Sequence, residues 1–368
     1  MTPEERLNSI LNKKSADKLS WTVLVDNNTL KFFPEELQGN YGIDFYRHIG
    51  CDILLLNGWN TPYTFKSPEL KWGQEVQFQT YVEGDKVVNK WITKRGILTG
   101  ITDKNGHPLK YPVDSLKAIK IYREMWENAS FIYHDDSETY KNLKNLIGNS
   151  GVIARFWGPS TIPRLLEYDM GIENFYYLFN DYPDEMINLI ETIHKVEKRA
   201  FKILAQHPCS CIILVENTST FYITPEIYKK FNMPHQSEFV EEIKRSNKTA
   251  ILHMCGHVKN ILHFIKETKC DGIHALTPPP TGDTPWELAL DILGEETIII
   301  GAIPPSFFIL NKIEEIPVAF DKLITQRLKK ANFVLGVFAD GIGVELERFY
   351  AIARWIEKNR NKNILRKD

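Results

Sequence analysis

No stretch of this sequence approaches the roughly 18 consecutive apolar residues that a membrane-spanning helix needs. A membrane role through such a helix is therefore not expected. Basic excess is also missing. Lys and Arg total 45 against 47 Asp and Glu, a net charge of −2. Nothing in that balance would hold a phosphate backbone, so a nucleic-acid partner is not expected either. Cysteine is scarce and odd in number: Cys51, Cys209, Cys211, Cys255 and Cys270. The chain opens MTPEERLNSILNKK, without an apolar leader. Together these features point to a cytoplasmic protein with reduced thiols. There a purposeful cysteine more often binds metal or catalyses than crosslinks. A glycine-rich phosphate fingerprint after a strand is absent as well, which argues against a nucleotide-binding sheet.

What is present is a repeated alternation of strand and helix patterns. Eight short apolar runs stand out: Leu19 to Asp26, Cys51 to Gly58, Gly151 to Phe156, Cys211 to Glu216, Thr249 to His253, Asp271 to Ala275, Thr297 to Ala302 and Phe333 to Val337. Most are continuously apolar, as strands buried on both faces are. From the third run onward, helical patterns separate them, among them Asp184 to Gln206, Pro225 to Ser246, Val258 to Thr268 and Ile313 to Lys330. Repeated strand and helix predict a parallel sheet. Eight strands predict a closed α/β (β/α)8 TIM barrel, with an open doubly wound sheet as the alternative. The chain reads as one barrel domain over 1–368. The segment 76–111 breaks the pattern with alternating residues and two turn signals, Glu83-Gly84-Asp85 and Lys104-Asn105-Gly106. It predicts an inserted antiparallel β meander. Pro112 to Tyr140 reads as helix and linker.

In such barrels the chemistry lies at the C-terminal ends of the strands. Polar and aromatic residues concentrate there: Asp26, Asn57, Trp59, Arg155, Trp157, Glu216, Asn217, His253, Cys255, His274 and Asp340. His253-Met254-Cys255 is the sharpest signal. In extended chain, residues two apart point the same way. The imidazole and the thiol would therefore face one point, and both are ordinary zinc ligands. The alternative is a buried histidine beside a packed cysteine. A third ligand would come from Asp340 or from Glu216. Asp340 could instead cap the helix that follows, and Glu216 could end its strand in a salt bridge. Asp26 and His274 are candidate polar catalysts, with Glu216 beside them. Asn57, Trp59, Trp157, Asn217, Phe221 and Tyr222 are candidate walls of a substrate pocket. Cys209, Cys211 and Cys270 precede strands, so they belong to packing at the opposite end.

Four stretches resemble the uroporphyrinogen decarboxylase superfamily. They are TAILHMCGHVKNILHFIKETKCDGIHAL, TGDTPWELALDILGEETIIIGAIPP, the opening TPEERLNSILNKKSADKLS, and ITPEIYKKFNMPHQSEF. The resemblance runs along nearly the whole chain and implies the barrel. Decarboxylase members carry an arginine- and glycine-containing motif near the N-terminus that grips porphyrin carboxylates. Here that region reads LSWTVLVDNNTL, without arginine. Members resembling the methylcobamide:coenzyme M methyltransferases carry His-x-Cys and a distant third cysteine that together hold zinc. His253 and Cys255 match the first two positions. The third falls near Ala339-Asp340-Gly341, where this chain has Asp340 and no cysteine.

The resemblance thus implies a zinc-dependent, corrinoid-linked methyltransferase. Zn2+ would activate one partner in the transfer. The other would be a cobalt corrinoid (a cobalamin-like group) on a separate small protein. A carboxylate in place of a thiolate would make the metal site harder and better at polarising oxygen. The aromatic residues near the mouth suit an aryl methyl ether, so O-demethylation of a small methylated substrate is the expectation. A metal-independent decarboxylase or lyase is the alternative. Barrels of this group can pair, so a homodimer is compatible with the resemblance.

Overall fold

The protein is described here as a computed structural model covering residues 1–209, 211–339 and 343–360. Each of the eight apolar runs forms a strand. They are β1 (Ser20–Leu24), β2 (Ile53–Leu56), β9 (Gly151–Trp157), β10 (Cys211–Val215), β11 (Thr249–His253), β12 (Gly272–Leu276), β13 (Ile298–Ile303) and β14 (Phe333–Phe338). Their order is β1-β14-β13-β12-β11-β10-β9-β2, and every pairing is parallel. The ring closes where the Asp52 N–H donates to the Trp21 carbonyl at 2.8 Å and the Leu54 N–H to the Thr22 hydroxyl at 3.2 Å. The expected barrel is thus present, and the open sheet is excluded.

Period-two geometry splits each strand between two environments. Leu54, Leu56, Val152, Ala154, Cys211, Ile213, Ile251, Ile298, Ile300 and Val334 point inward and pack on one another. Their neighbours Ile53, Leu55, Ile153, Ile212, Leu214, Leu252, Ile273, Ile299 and Leu335 belong to the larger core shared with the surrounding helices. Both faces are dry, which is why the strands read as unbroken apolar runs. The N-terminal end of the barrel is plugged by helix Pro3–Leu11. Leu7, Ile10 and Leu11 join the inner cluster, and Thr2 caps the helix with Glu5 in a reciprocal capping box. Arg6 descends from this plug to Asp52 at 2.6 Å, with both side chains buried.

The meander is β4 (Gln77–Glu83), β5 (Lys86–Thr93), β6 (Gly96–Asp103) and β7 (Pro108–Lys110), antiparallel throughout. Its middle turn, at Lys94-Arg95, gave no signal in the sequence. Gly96 supplies the positive φ of 148° that follows the turn. The stretch read as helix and linker contains helix Leu116–Glu127, but also β8 (Ser130–Ile132). That strand pairs with β3 (Glu69–Lys71). Three-residue strands carry too few alternations to be seen by period.

Two expected helices are irregular. Pro225–Ile227 runs through a π turn, Tyr228–Asn232, into Met233–Arg245. The wider turn rotates Asn232 and Gln236 toward the barrel wall. The segment 313–330 is broken at Ile324, and the Thr325 side chain caps a new short helix, Gln326–Lys330.

Candidate functional site at the barrel mouth

A cavity of about 650 Å³ opens at the C-terminal end of the barrel. Each of the eight strands contributes one inward side chain to its wall: Leu24, Leu56, Phe156, Val215, His253, His274, Ala302 and Phe338. Six are apolar and two are histidines. Loop residues complete the rim, including Asn57, Trp59, Tyr168, Asn217, Cys255, Thr277 and Thr281. No Lys, Arg, Asp or Glu lines the cavity among the described residues.

His253 and His274 occupy paired register positions on adjacent strands. Their Nδ1 atoms lie 2.7 Å apart. Phe156 meets the His253 ring edge-on at 5.2 Å, and Phe338 lies 5.3 Å from the His274 ring. Burial pushes the His253 imidazole down to about 4. His274 is lowered well below the usual value, first by burial and then by the charge His253 would carry. Both rings are therefore neutral near pH 7. The Nε2 of His274 is buried without a hydrogen-bond partner among the described residues. At the end of β12 the register shifts between His274 and Leu276, with Ala275 at φ 62°. The bulge lies directly after His274, and the strand ends at Leu276, still paired with Gly301.

Cys255 stands on the same cavity wall and is exposed, while Met254 between the two points into the core. His253 and Cys255 thus line one cavity, with Met254 turned away from it. Cys51, Cys209 and Cys211 are buried. Behind Cys255 the chain passes Gly256, where a Cβ would fall 2.6 Å from the Thr218 carbonyl oxygen. Only glycine fits that approach. It brings the loop after β11 against the loop after β10, which carries Asn217.

Asn217 takes a left-handed φ of 43°, a conformation that asparagine tolerates better than most residues. Its backbone N–H and that of Glu216 both donate to the His253 carbonyl at 3.1 Å. Its side-chain Oδ1 lies 3.9 Å from the Cys255 thiol, which donates to it. Its amide nitrogen donates to Glu167 at 3.2 Å. Burial raises the Glu167 carboxyl above its ordinary value.

Other expected residues lie elsewhere. Glu216 follows the outward parity of Ile212 and Leu214, so it leaves the barrel rather than entering its mouth. It is fully buried, accepting from Gln236 at 2.7 Å and from Asn232 at 3.4 Å. Burial pushes its carboxyl up to about 7 against the donors that hold it. Asp26 accepts from the Thr29 N–H at 2.8 Å and caps helix Asn27–Leu30. Trp157 also points outward, with Phe201 and Phe131 edge-on to it at 5.8 and 5.9 Å. Phe221 is exposed and lies tilted against the His257 ring at 3.8 Å, and it does not line the cavity. Tyr222 donates to the Asn217 carbonyl and lines a separate cavity of about 530 Å³.

Asn57 does line the mouth, but its amide also fastens β2 to β9. Its Oδ1 accepts from Arg155 at 2.7 Å and from the Phe156 N–H at 2.9 Å. Trp59 lines the mouth with its indole N–H on the Val25 carbonyl at 2.8 Å. Asp340 lies outside the described residues.

Phe156, Phe338 and Glu167 are site residues that the sequence reading did not single out. The first two were available from strand parity. Glu167 sits in a π turn, Leu165–Asp169, that no sequence pattern announces.

For a metal, the donor set fits in part. One imidazole and one exposed thiol share a cavity wall, the soft and borderline donors that zinc takes. No group of three metal-capable side chains is assembled among the described residues.

The sequence pattern of the uroporphyrinogen decarboxylase (URO-D) family matches residues 107–344, more than half of the chain, and the chain is a member of that family. Among individual relatives, it is 20% identical over 357 residues to the methylcobamide:CoM methyltransferase MtbA of Methanosarcina mazei, covering 93% of each chain. It is 26% identical over 115 residues to MtbA of Methanosarcina acetivorans, covering 31% of this chain and 32% of the other. A solved methyltransferase from Methanosarcina mazei superposes with a TM-score of 0.61 at 12% identity, over 97% of this chain and 99% of the other. At that identity the superposition speaks for the fold.

Proposed function

We propose that this chain is a methyltransferase that moves a methyl group between a small uncharged compound and a cobalt corrinoid. Zinc is held by His253 and Cys255. The observation that carries this reading is the shared placement of those two donors on the wall of one apolar cavity. The resemblance implies a third ligand at Asp340, outside the described residues. Glu216 is set aside for that role because it points out of the barrel into a shell of Gln236 and Asn232. When bound, zinc would act as a Lewis acid on the atom that carries or receives the methyl group.

The remaining residues define what enters. Phe156, Phe338, Leu56 and Val215 exclude water from the reacting centre. The mouth offers hydroxyls and an amide (Tyr168, Thr277, Thr281, Asn217) but no cation among its described residues. A sulfonate- or carboxylate-bearing substrate would lack a partner there. An aryl methyl ether, flat and uncharged, meets aromatic walls at Phe156, Phe338 and Trp59. The corrinoid is brought to the open mouth by a separate small protein. A metal-free lyase acting on a polycarboxylate finds no support in this cavity, and Asp26, its expected catalyst, is occupied as a helix cap.

The test is zinc content after anaerobic purification without chelators, followed by methyl transfer to Co(I) corrinoid from a panel of methyl ethers. Stoichiometric zinc in the wild type, lost in both His253→Ala and Cys255→Ala, is expected. A wild-type protein without bound zinc would overturn the reading.

A further inference from the structure

The contact between the two imidazoles has a chemical consequence. Two imidazoles with their Nδ1 atoms 2.7 Å apart form one hydrogen bond, in which one Nδ1 donates its proton and the other accepts it. Two arrangements are available. In one, His274 donates, and His253 then carries its own proton on Nε2. In the other, His253 donates from Nδ1, its Nε2 keeps a bare lone pair, and His274 carries its second proton on the buried Nε2 that has no partner. Only the second leaves His253 able to bind a metal through Nε2. The unpartnered His274 nitrogen is then an N–H group among Phe156 and Phe338, 6.0 and 5.3 Å away between ring centres. Aromatic faces are a weak but real acceptor for N–H.

We infer that His274 is a positioning residue: it accepts the Nδ1–H of His253 and so holds the His253 Nε2 lone pair toward the cavity. This rests on the metal-binding reading given above. The fold supplies the geometry. Paired register on β11 and β12 sets the two rings at one level, and the bulge at Ala275 lies just beyond. An outer partner of this kind fixes tautomer and ring direction, and its loss lowers metal affinity by about 10- to 100-fold.

The tautomer is read in the metal-free full-length protein by nitrogen NMR of 15N-histidine-labelled samples. The His253 signals are assigned by their loss in His253→Ala. Protonated Nδ1 and bare Nε2 on His253 are expected in the wild type. His274→Phe should move that proton to Nε2 and weaken zinc binding by about 10- to 100-fold. His274→Gln, whose amide oxygen accepts a hydrogen bond, should retain the wild-type tautomer and most of the affinity. A wild-type His253 protonated on Nε2 would overturn the inference, as would undiminished zinc affinity in His274→Phe. Absence of zinc from the wild type would instead count against the function proposed above, and the NMR reading stands apart from it.

Discussion

Asn217 Oδ1 accepts from the Cys255 thiol across 3.9 Å, while the other end of the same amide is tied to Glu167 at 3.2 Å. The cysteine on the cavity wall is thus oriented by an asparagine that a buried-side carboxylate keeps from flipping. Asn217→Gly removes the amide, and glycine suits the positive φ of that position. Thermal stability should change little. Zinc affinity should rise a few-fold, because zinc binds the thiolate and an acceptor oxygen at the sulfur favours the protonated thiol. Isothermal titration of the metal-free protein checks this. An unchanged affinity would make Asn217 a turn residue only.

Cysteine reactivity offers a second check. Cys255 is the exposed thiol, while Cys51, Cys209 and Cys211 are buried and Cys270 is partly covered. Burial pushes the thiols of Cys209 and Cys270 up to about 11 and raises Cys211 well above its ordinary value. Alkylation should therefore label Cys255 first, and bound zinc should slow it. Mass spectrometry of peptides after brief iodoacetamide treatment reads both effects. Preferential labelling of Cys209 or Cys211 would contradict the placement.

Glu216 predicts a pH-dependent stability difference. Its carboxyl is raised from 4.5 to about 7 by burial. Below about pH 4 both folded and unfolded states are protonated, so the buried acid carries no charge cost. As pH rises from there through 7, the unfolded chain ionises more readily than the folded one, and stability declines. Glu216→Gln lacks this titration. The melting temperature of the variant relative to wild type should climb across that window and level off above it. The total change should be on the order of 1–3 kcal/mol. A pH-independent difference would show that the carboxyl is not perturbed.

At the other end of the barrel, Arg6 and Asp52 form a buried ion pair at 2.6 Å, with the Ser20 hydroxyl donating to Asp52 at 2.7 Å. Arg6→Ala leaves a buried carboxylate without its cation, a loss of about 3–5 kcal/mol. Denaturant unfolding should show that loss. Zinc content of the folded fraction should be untouched, because the pair lies at the opposite mouth. A coupled loss of metal would mean that the plug helix and the site are linked.

Much of the fold was legible because burial on both faces writes a strand as an unbroken apolar run. Leu54-Leu55-Leu56 and Ile298-Ile299-Ile300 are such runs, and each is a barrel strand. The meander was legible from alternation and from glycine turns, apart from the turn at Lys94-Arg95. The short β3 and β8 escaped because three residues cannot display a period. At the site, His253 and Cys255 were legible because spacing by two fixes a common direction on an extended chain. The same parity rule, applied to Glu216 and Trp157, would have turned both away from the mouth. Their position at strand ends suggested function, but the side to which each pointed decided otherwise.

The sequence by itself determined which residues form the eight barrel strands, which end of each strand carries polar groups, and that one imidazole and one thiol are spaced to share a face. Only the tertiary structure decided which side chains meet across different strands. The pairing of His253 with His274 depends on the register of β11 against β12. The hold of Asn217 on Cys255 depends on two loops brought together at Gly256. The partners that hold Glu216, Asn232 and Gln236, are presented by a helix with a π turn packed outside the barrel. Contacts of this kind are set by closure of the ring and the packing of its surrounding helices, which join residues far apart in the chain through geometry that no local pattern encodes.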